Sequence, residues 1–332
     1  MAERRFLVVR LGSLGDIVHT FPAVAALRKT FPAAEIVWLT HPRWAELVQS
    51  SGLPTEAWEV DSRELSSVRA TLRKVRAEKW DAAIDYQGLW KSALLPFLGG
   101  VRRRIGFSAE SIREYGVPVL YTERVRATAA HVAEQNGELS ARAGAAMQVA
   151  DVKLKVSEEA TAKVRGWLAA EGIERYAVVS PGGGWRSKCW PAERFGALAR
   201  EIEGELGLRC VLNYGPGEEG LVEEVRTAGG TKLAAYCGTL AELMAVLSGA
   251  ECVVGGDTGP LQLAGALGTP YVALFGPTDP ARNGPYPPEG VVLRAGSVES
   301  TYKRHTETHP SLLALRVEDV MAAVRQETRG AA

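Results

Sequence analysis

Asp16 lies in the loop Arg10-Leu11-Gly12-Ser13-Leu14-Gly15-Asp16, between the apolar run Phe6–Val9 and an amphipathic stretch carrying Ile17, Phe21, Val24 and Leu27. A carboxylate where a strand gives way to a helix, with His19 one turn further on, can take a proton from a hydroxyl. The helix N-terminus keeps it ionised and weakens it as a base, so that chemistry needs a partly desolvated site. An Asp that merely caps its own helix has the same placement.

Two other segments suit an anion. Gly255-Gly256-Asp257-Thr258-Gly259-Pro260-Leu261-Gln262 follows an apolar run and opens a helical one. There the first-turn amides and the helix dipole favour phosphate, Thr258 adds a hydroxyl donor, and the glycine pair leaves room for close approach. N-capping by Asp257 or Thr258, with Pro260 in the first turn, is the plain alternative. Ser180-Pro181-Gly182-Gly183-Gly184-Trp185-Arg186-Ser187-Lys188 ends in cations that can neutralise a diphosphate without a metal, although it lacks Walker spacing. A solvated surface loop is the competing explanation. Ser62–Lys79 predicts a helix with Leu65, Val68, Leu72 and Val75 on one face and a surplus of Arg and Lys. With Arg102-Arg103-Arg104, it offers a basic surface to an anionic lipid or acceptor, or simply to water.

These loops need strands and helices to hold them. The runs Phe6–Val9, Ile36–Leu39, Ala82–Ile84 and Arg104–Phe107 alternate with helical segments in the first half. Tyr176–Ser180, Cys210–Leu212, Cys252–Val254 and Tyr271–Phe275 do the same in the second. Each half therefore predicts a parallel sheet wrapped by helices, with loops and helix N-termini converging on a shared cleft. The expected class is α/β, with domains at 1–160 and 161–332, and the last helix, about 317–327, returning to the first domain.

The length of 332 residues fits about two domains, and Lys plus Arg equals Asp plus Glu at 39 each, leaving no global field for nucleic acid. Cys189, Cys210, Cys237 and Cys252 lack the close spacing of a zinc or redox pair and read as buried thiols. The first residues carry no secretory h-region and no run reaches a membrane span, which places the chain in the cytoplasm. Gly12 and Gly15 do not complete the GxGxxG of a dinucleotide enzyme.

Together, Val9–Thr20, Asp85-Tyr-Gln-Gly-Leu-Trp-Lys-Ser92, Pro181–Pro191, Asp257–Gln262 and Phe275-Gly-Pro-Thr-Asp279 resemble, in order, the motifs of the lipopolysaccharide heptosyltransferases, glycosyltransferase family 9. The resemblance implies a GT-B fold: two Rossmann-like domains facing a central cleft, the first holding the acceptor and the second the nucleotide sugar. It implies inverting transfer of heptose from ADP-L-glycero-D-manno-heptose to the Kdo or heptose of the lipopolysaccharide inner core, with no metal or other cofactor. The partners it implies are an ADP-sugar and Kdo-lipid A or core oligosaccharide, with peripheral contact at the cytoplasmic face of the inner membrane. Asp16 takes the place of the catalytic base and Lys188 that of the phosphate-binding, leaving-group cation. Gly183, Gly184, Glu218, Asp257, Thr258, Gly259 and Gln262 fall on the donor side. Arg10, Ser13, Gly15, His19 and Gln87 fall on the acceptor side.

This chain departs from the family pattern twice. Gln262 stands where His is common, so a hydrogen-bond donor replaces a group able to carry charge. Ser300–Arg304 through His309–Leu312 resembles a segment that bears a Cys in many relatives and has none here. A family 9 transferase using another nucleotide sugar, or a binding protein that has lost turnover, are the alternatives these departures leave open.

Overall fold

Strands buried on both faces read as unbroken apolar runs, and the central strands of this chain are of that kind. The computed structural model describes residues 4–146, 152–230, 233–296, 300–301 and 306–329. The chain divides into two compact units, Met1–Lys155 and Val156–Ala332.

Among the described residues, the first unit holds β1 (Arg5–Val9), β2 (Glu35–Thr40), β3 (Glu56–Glu59), β4 (Ala82–Asp85), β5 (Arg104–Phe107) and β6 (Glu123–Val125). They form one parallel sheet in the order β3-β2-β1-β4-β5-β6. The second unit holds β7 (Tyr176–Ser180), β8 (Arg209–Asn213), β9 (Ala234–Tyr236), β10 (Cys252–Gly256), β11 (Tyr271–Phe275) and β12 (Val291–Arg294). Its order is β12-β11-β10-β7-β8-β9, again all parallel. Counted within its own unit, each sheet has the doubly wound order 3-2-1-4-5-6. The connection reverses direction between β1 and β4, and between β7 and β10, and there the loops part to make a crevice.

The outer strands β3, β6, β9 and β12 escape the sequence pattern because they are short and partly exposed. The stretch after Asp16 is not one helix but two, Leu14–Val18 and Phe21–Thr30. Pro22, lacking an N–H, fits the first turn of the second and would break a continuous one. Thr20 Oγ1 meanwhile donates to the Asp16 carbonyl at 2.8 Å. The basic helix runs Leu65–Ala77; Val75 is buried, Val68 and Leu72 pack beside it, and Leu65, which opens the helix, is exposed.

Cys189, Cys210 and Cys252 are buried, but Cys237 is exposed, in the turn between the outer strand β9 and the next helix. The last helix, Val317–Arg329, lies in the second unit. Val320, Met321 and Val324 are buried in the core of that unit. No described helix is long and apolar enough to cross a membrane.

Two helices of the second unit, Ala192–Glu201 and Glu219–Gly229, touch through glycine. A Cβ on Gly196 would lie 2.5 Å from Gly229 N and 2.7 Å from the Val225 carbonyl. Since both are backbone atoms, Gly196→Ala must push the helices apart. We expect a loss of about 2 kcal/mol, read as a fall of roughly 4–8 °C in the thermal midpoint; an unchanged midpoint would contradict this contact.

Candidate active site

In the first unit the crevice is lined by the residues following β1 and β4. Ser13 caps the short helix Leu14–Val18, and Asp16 answers it: Asp16 Oδ2 accepts from Ser13 N at 3.0 Å and from Ser13 Oγ at 2.8 Å. The other oxygen, Oδ1, lies 2.6 Å from Arg10 Nη2. Capping and charge pairing thus use different oxygens of one partly exposed carboxylate. Burial pushes the Asp16 carboxyl up, but the Arg10 charge, the Ser13 hydrogen bonds and His19 together hold it below the ordinary carboxylate range.

Arg10 is itself buried and donates to the Tyr86 carbonyl. Leu11 N donates to Gln87 Oε1 at 2.8 Å, so the loop after β4 braces the loop after β1. That second loop is organised by Asp85, a buried carboxylate that no motif argument singled out as functional. Its Oδ1 accepts from Gln87 N at 2.9 Å and Gly88 N at 3.2 Å. Its Oδ2 accepts from Ser92 Oγ at 2.9 Å and Tyr121 OH at 2.7 Å. Burial drives the Asp85 carboxyl up despite these four donors. The signal in the sequence was an Asp ending an apolar strand; its partner Tyr121 lies 36 positions away. His19 is buried, its ring edge-on to His131 at 5.2 Å, and Gly15 lies inside the short helix.

In the second unit the loops after β7 and β10 meet. A Cβ on Gly256 would come within 2.9 Å of the Lys188 carbonyl, so glycine there permits the approach. Lys188 Nζ pairs with Asp257 Oδ2 and lies 4.3 Å from the centre of the Trp185 ring. Thr258 occupies the N-cap position of the helix Gly259–Leu267 without making a side-chain cap bond. Its Oγ1 is shielded from water and has no partner among the described residues. The helix therefore presents its first amides and an unused hydroxyl beside Lys188, a suitable arrangement for a diphosphate.

Glu218 Oε2 accepts from Gly215 N at 2.8 Å, and its carboxylate lies over Gly182, where a Cβ would sit 2.2 Å from Oε1. Gly183 lies against Cys189 Sγ, and Gly184 is exposed. Gln262, expected on the donor side, is buried; its Nε2 donates to the Asn283 carbonyl at 2.7 Å and lies 3.4 Å from Asp257 Oδ1. The Ser300–Arg304 segment extends outside the described residues. Among the described residues no three His, Cys, Asp or Glu side chains gather as metal ligands would.

Residues 68–312 match the family described as glycosyltransferase family 9 (heptosyltransferase). Lipopolysaccharide heptosyltransferase 1 of Pseudomonas aeruginosa is 31% identical, over 85% of this chain and 81% of its own. Among solved structures, a glycosyl transferase family 9 protein from Veillonella parvula superposes with a TM-score of 0.87 at 22% identity, covering 98% of each chain. The E. coli heptosyltransferase WaaC with ADP gives 0.78 at 24% identity, covering 97% of this chain and 99% of its own. The same enzyme with ADP-2-deoxy-2-fluoro heptose gives 0.75 at 24% identity, covering 99% and 100%. The chain shares their GT-B fold.

Proposed function

Because this chain belongs to glycosyltransferase family 9, the heptosyltransferases, we propose that it moves heptose from ADP-L-glycero-D-manno-heptose to the Kdo or heptose of the lipopolysaccharide inner core, with inversion and without a metal. The observation that carries this reading is the Asp16 carboxylate clamped by Arg10 and Ser13 at the switch point of a doubly wound sheet. Lys188, Thr258 and a helix N-terminus lie at the corresponding point of the second sheet and suit the donor's diphosphate.

In this mechanism an acceptor hydroxyl oxygen attacks the anomeric carbon from the face opposite the diphosphate. Its proton passes to Asp16, the new glycosidic bond forms, and the bond from carbon to the diphosphate oxygen breaks, its electron pair leaving with ADP. A glycosidase expelling an alcohol uses a second carboxylate as acid; ADP leaves as a stable anion and needs charge stabilisation instead. Lys188, the Thr258 hydroxyl, the Thr258 and Gly259 amides and the helix dipole provide it. Asp257 acts from behind by holding Lys188 Nζ. Gly183, Gly184 and Glu218 form the rest of the donor wall, while Ser13, Gly15, His19 and Gln87 lie with Arg10 on the acceptor side. A lipid-linked acceptor would bring the protein to the cytoplasmic face of the inner membrane.

The test is incubation with ADP-heptose and a Kdo-terminated lipid A, read by product mass: one added heptose is expected, and donor binding without transfer would favour an inactive binding protein. ADP is expected to bind more tightly than UDP by calorimetry; the reverse order points to a different nucleotide sugar. Since the Asp16 carboxyl lies below the ordinary range near 3.9, its acid limb in kcat/KM should fall below about pH 4. A limb near pH 6 that moves in Asp16→Glu would contradict this.

A further inference from the structure

The helix Trp90–Leu98 is apolar on two sides. Ser92, Ala93, Leu95 and Pro96 are buried. Trp90, Phe97 and Leu98 share a second face at i, i+7 and i+8 and are 41%, 43% and 45% exposed. The neighbouring turn adds Tyr115 and Val119, 98% and 67% exposed. The two elements adjoin, since Gly116 lies against the Trp90 ring and Val117 and Leu120 pack with Ala93. Five of the eight large hydrophobic side chains exposed among the described residues fall in this one patch, and such concentration marks an interaction surface rather than scatter.

Arginines frame it. Arg76 donates to the Leu98 carbonyl at 3.0 and 2.9 Å, Arg104 to the Leu120 carbonyl at 2.7 Å, and Arg124 to the Pro118 carbonyl at 2.9 Å. The Arg104 guanidinium also lies 5.3 Å from the Phe97 ring centre. These bonds to neutral carbonyls fix the side chains at the rim without cancelling their charge. Lys91 and Arg102 are exposed nearby in the sequence. Of the neighbouring carboxylates, Glu123 is paired with Arg103 and Arg142, whereas Glu114, which accepts from Trp90 N at 2.7 Å, keeps its charge, one negative group against the several cations of the rim.

Exposed aromatic and aliphatic side chains inside a cationic rim match the boundary between acyl chains and anionic headgroups. We propose that this face of the first unit docks on an anionic phospholipid surface. Trp90 is three residues beyond Gln87, so docking would hold the acceptor loop beside the bilayer. That purpose rests on the transferase reading, whereas the docking itself does not. The basic helix anticipated from the sequence contributes through Arg76 at one end; Arg63 pairs with Asp61, and Lys74 lies over the Trp58 ring.

The test is co-sedimentation of the full chain with vesicles of phosphatidylcholine, alone or mixed equally with phosphatidylglycerol. The parent should favour the mixed vesicles by about tenfold or more, with the preference shrinking as salt rises. The triple variant Phe97→Ser, Tyr115→Ser, Val119→Ser should partition about tenfold less, while keeping the parent's thermal midpoint and its transfer rate to a lipid-free Kdo oligosaccharide. Retained partition in that variant, or a parent indifferent to the anionic lipid, would overturn the proposal. So would self-association of the parent that the variant abolishes without any vesicle binding, which would assign the face to a second copy. Vesicle binding by a parent inactive on every acceptor would sink the transferase reading alone.

Discussion

Asp16→Asn is expected to lower kcat for heptose transfer by roughly 10²- to 10⁴-fold, the range of a lost general base, while the dissociation constant for ADP-heptose stays at the parent value. The substitution is nearly isosteric, and the amide oxygen can still accept from Ser13 N, so the short helix Leu14–Val18 keeps its start. Lost is an oxygen able to hold the acceptor's proton, and with it the ion pair between Arg10 Nη2 and Oδ1 at 2.6 Å. An amide N–H turned toward the guanidinium would be unfavourable, which drives the amide oxygen to one partner or the other and costs on the order of 1 kcal/mol in stability. Steady-state rates beside calorimetric donor titration separate the outcomes. Turnover within about tenfold of the parent would remove Asp16 from the proton-transfer step.

Lys188→Ala should weaken donor binding by about 10- to 100-fold, the equivalent of one charge-assisted hydrogen bond of about 1.5–3 kcal/mol, and should slow transfer as well. The side chains of Lys188 and Asp257 are only 11% and 12% exposed, so water screens neither their pairing nor a phosphate placed against them. With the cation gone, the Asp257 carboxylate would face the diphosphate directly, adding repulsion to the lost attraction. Lys188→Arg restores the charge and should recover part of the affinity, an effect that a merely misfolded loop would not give. ADP binding identical in parent and Ala variant, measured by calorimetry, would take Lys188 out of the donor site.

Both predictions depend on how far local pattern reports tertiary placement. The central strands β1, β2, β4, β7, β8, β10 and β11 were legible because a parallel strand covered on both faces must be apolar throughout, as in Tyr176–Ser180 and Tyr271–Phe275, whose bounds match the apolar runs. The loops bearing Asp16, Lys188 and Asp257 were legible because turn-forming residues between such a strand and a helix leave few other conformations. The edge strand Glu56–Glu59 was not, since a strand at the rim of a sheet needs no apolar run.

The sequence by itself determined two α/β halves, the order of their loops and the residue types at each loop. Only the tertiary structure decided which of those residues meet. Lys188 finds Asp257 across 69 positions because β7 and β10 are parallel neighbours in register, Val179 opposite Val254, so the chain leaves both strands at one edge. Asp85 gathers Gln87, Ser92 and Tyr121, and Gln87 in turn holds Leu11, because β4 lies beside β1. Gln262 turns inward to Asn283 for a reason equally invisible in one dimension. Strand identity follows from local hydrophobicity, whereas hydrogen-bond partners follow from sheet order, which long-range pairing alone sets.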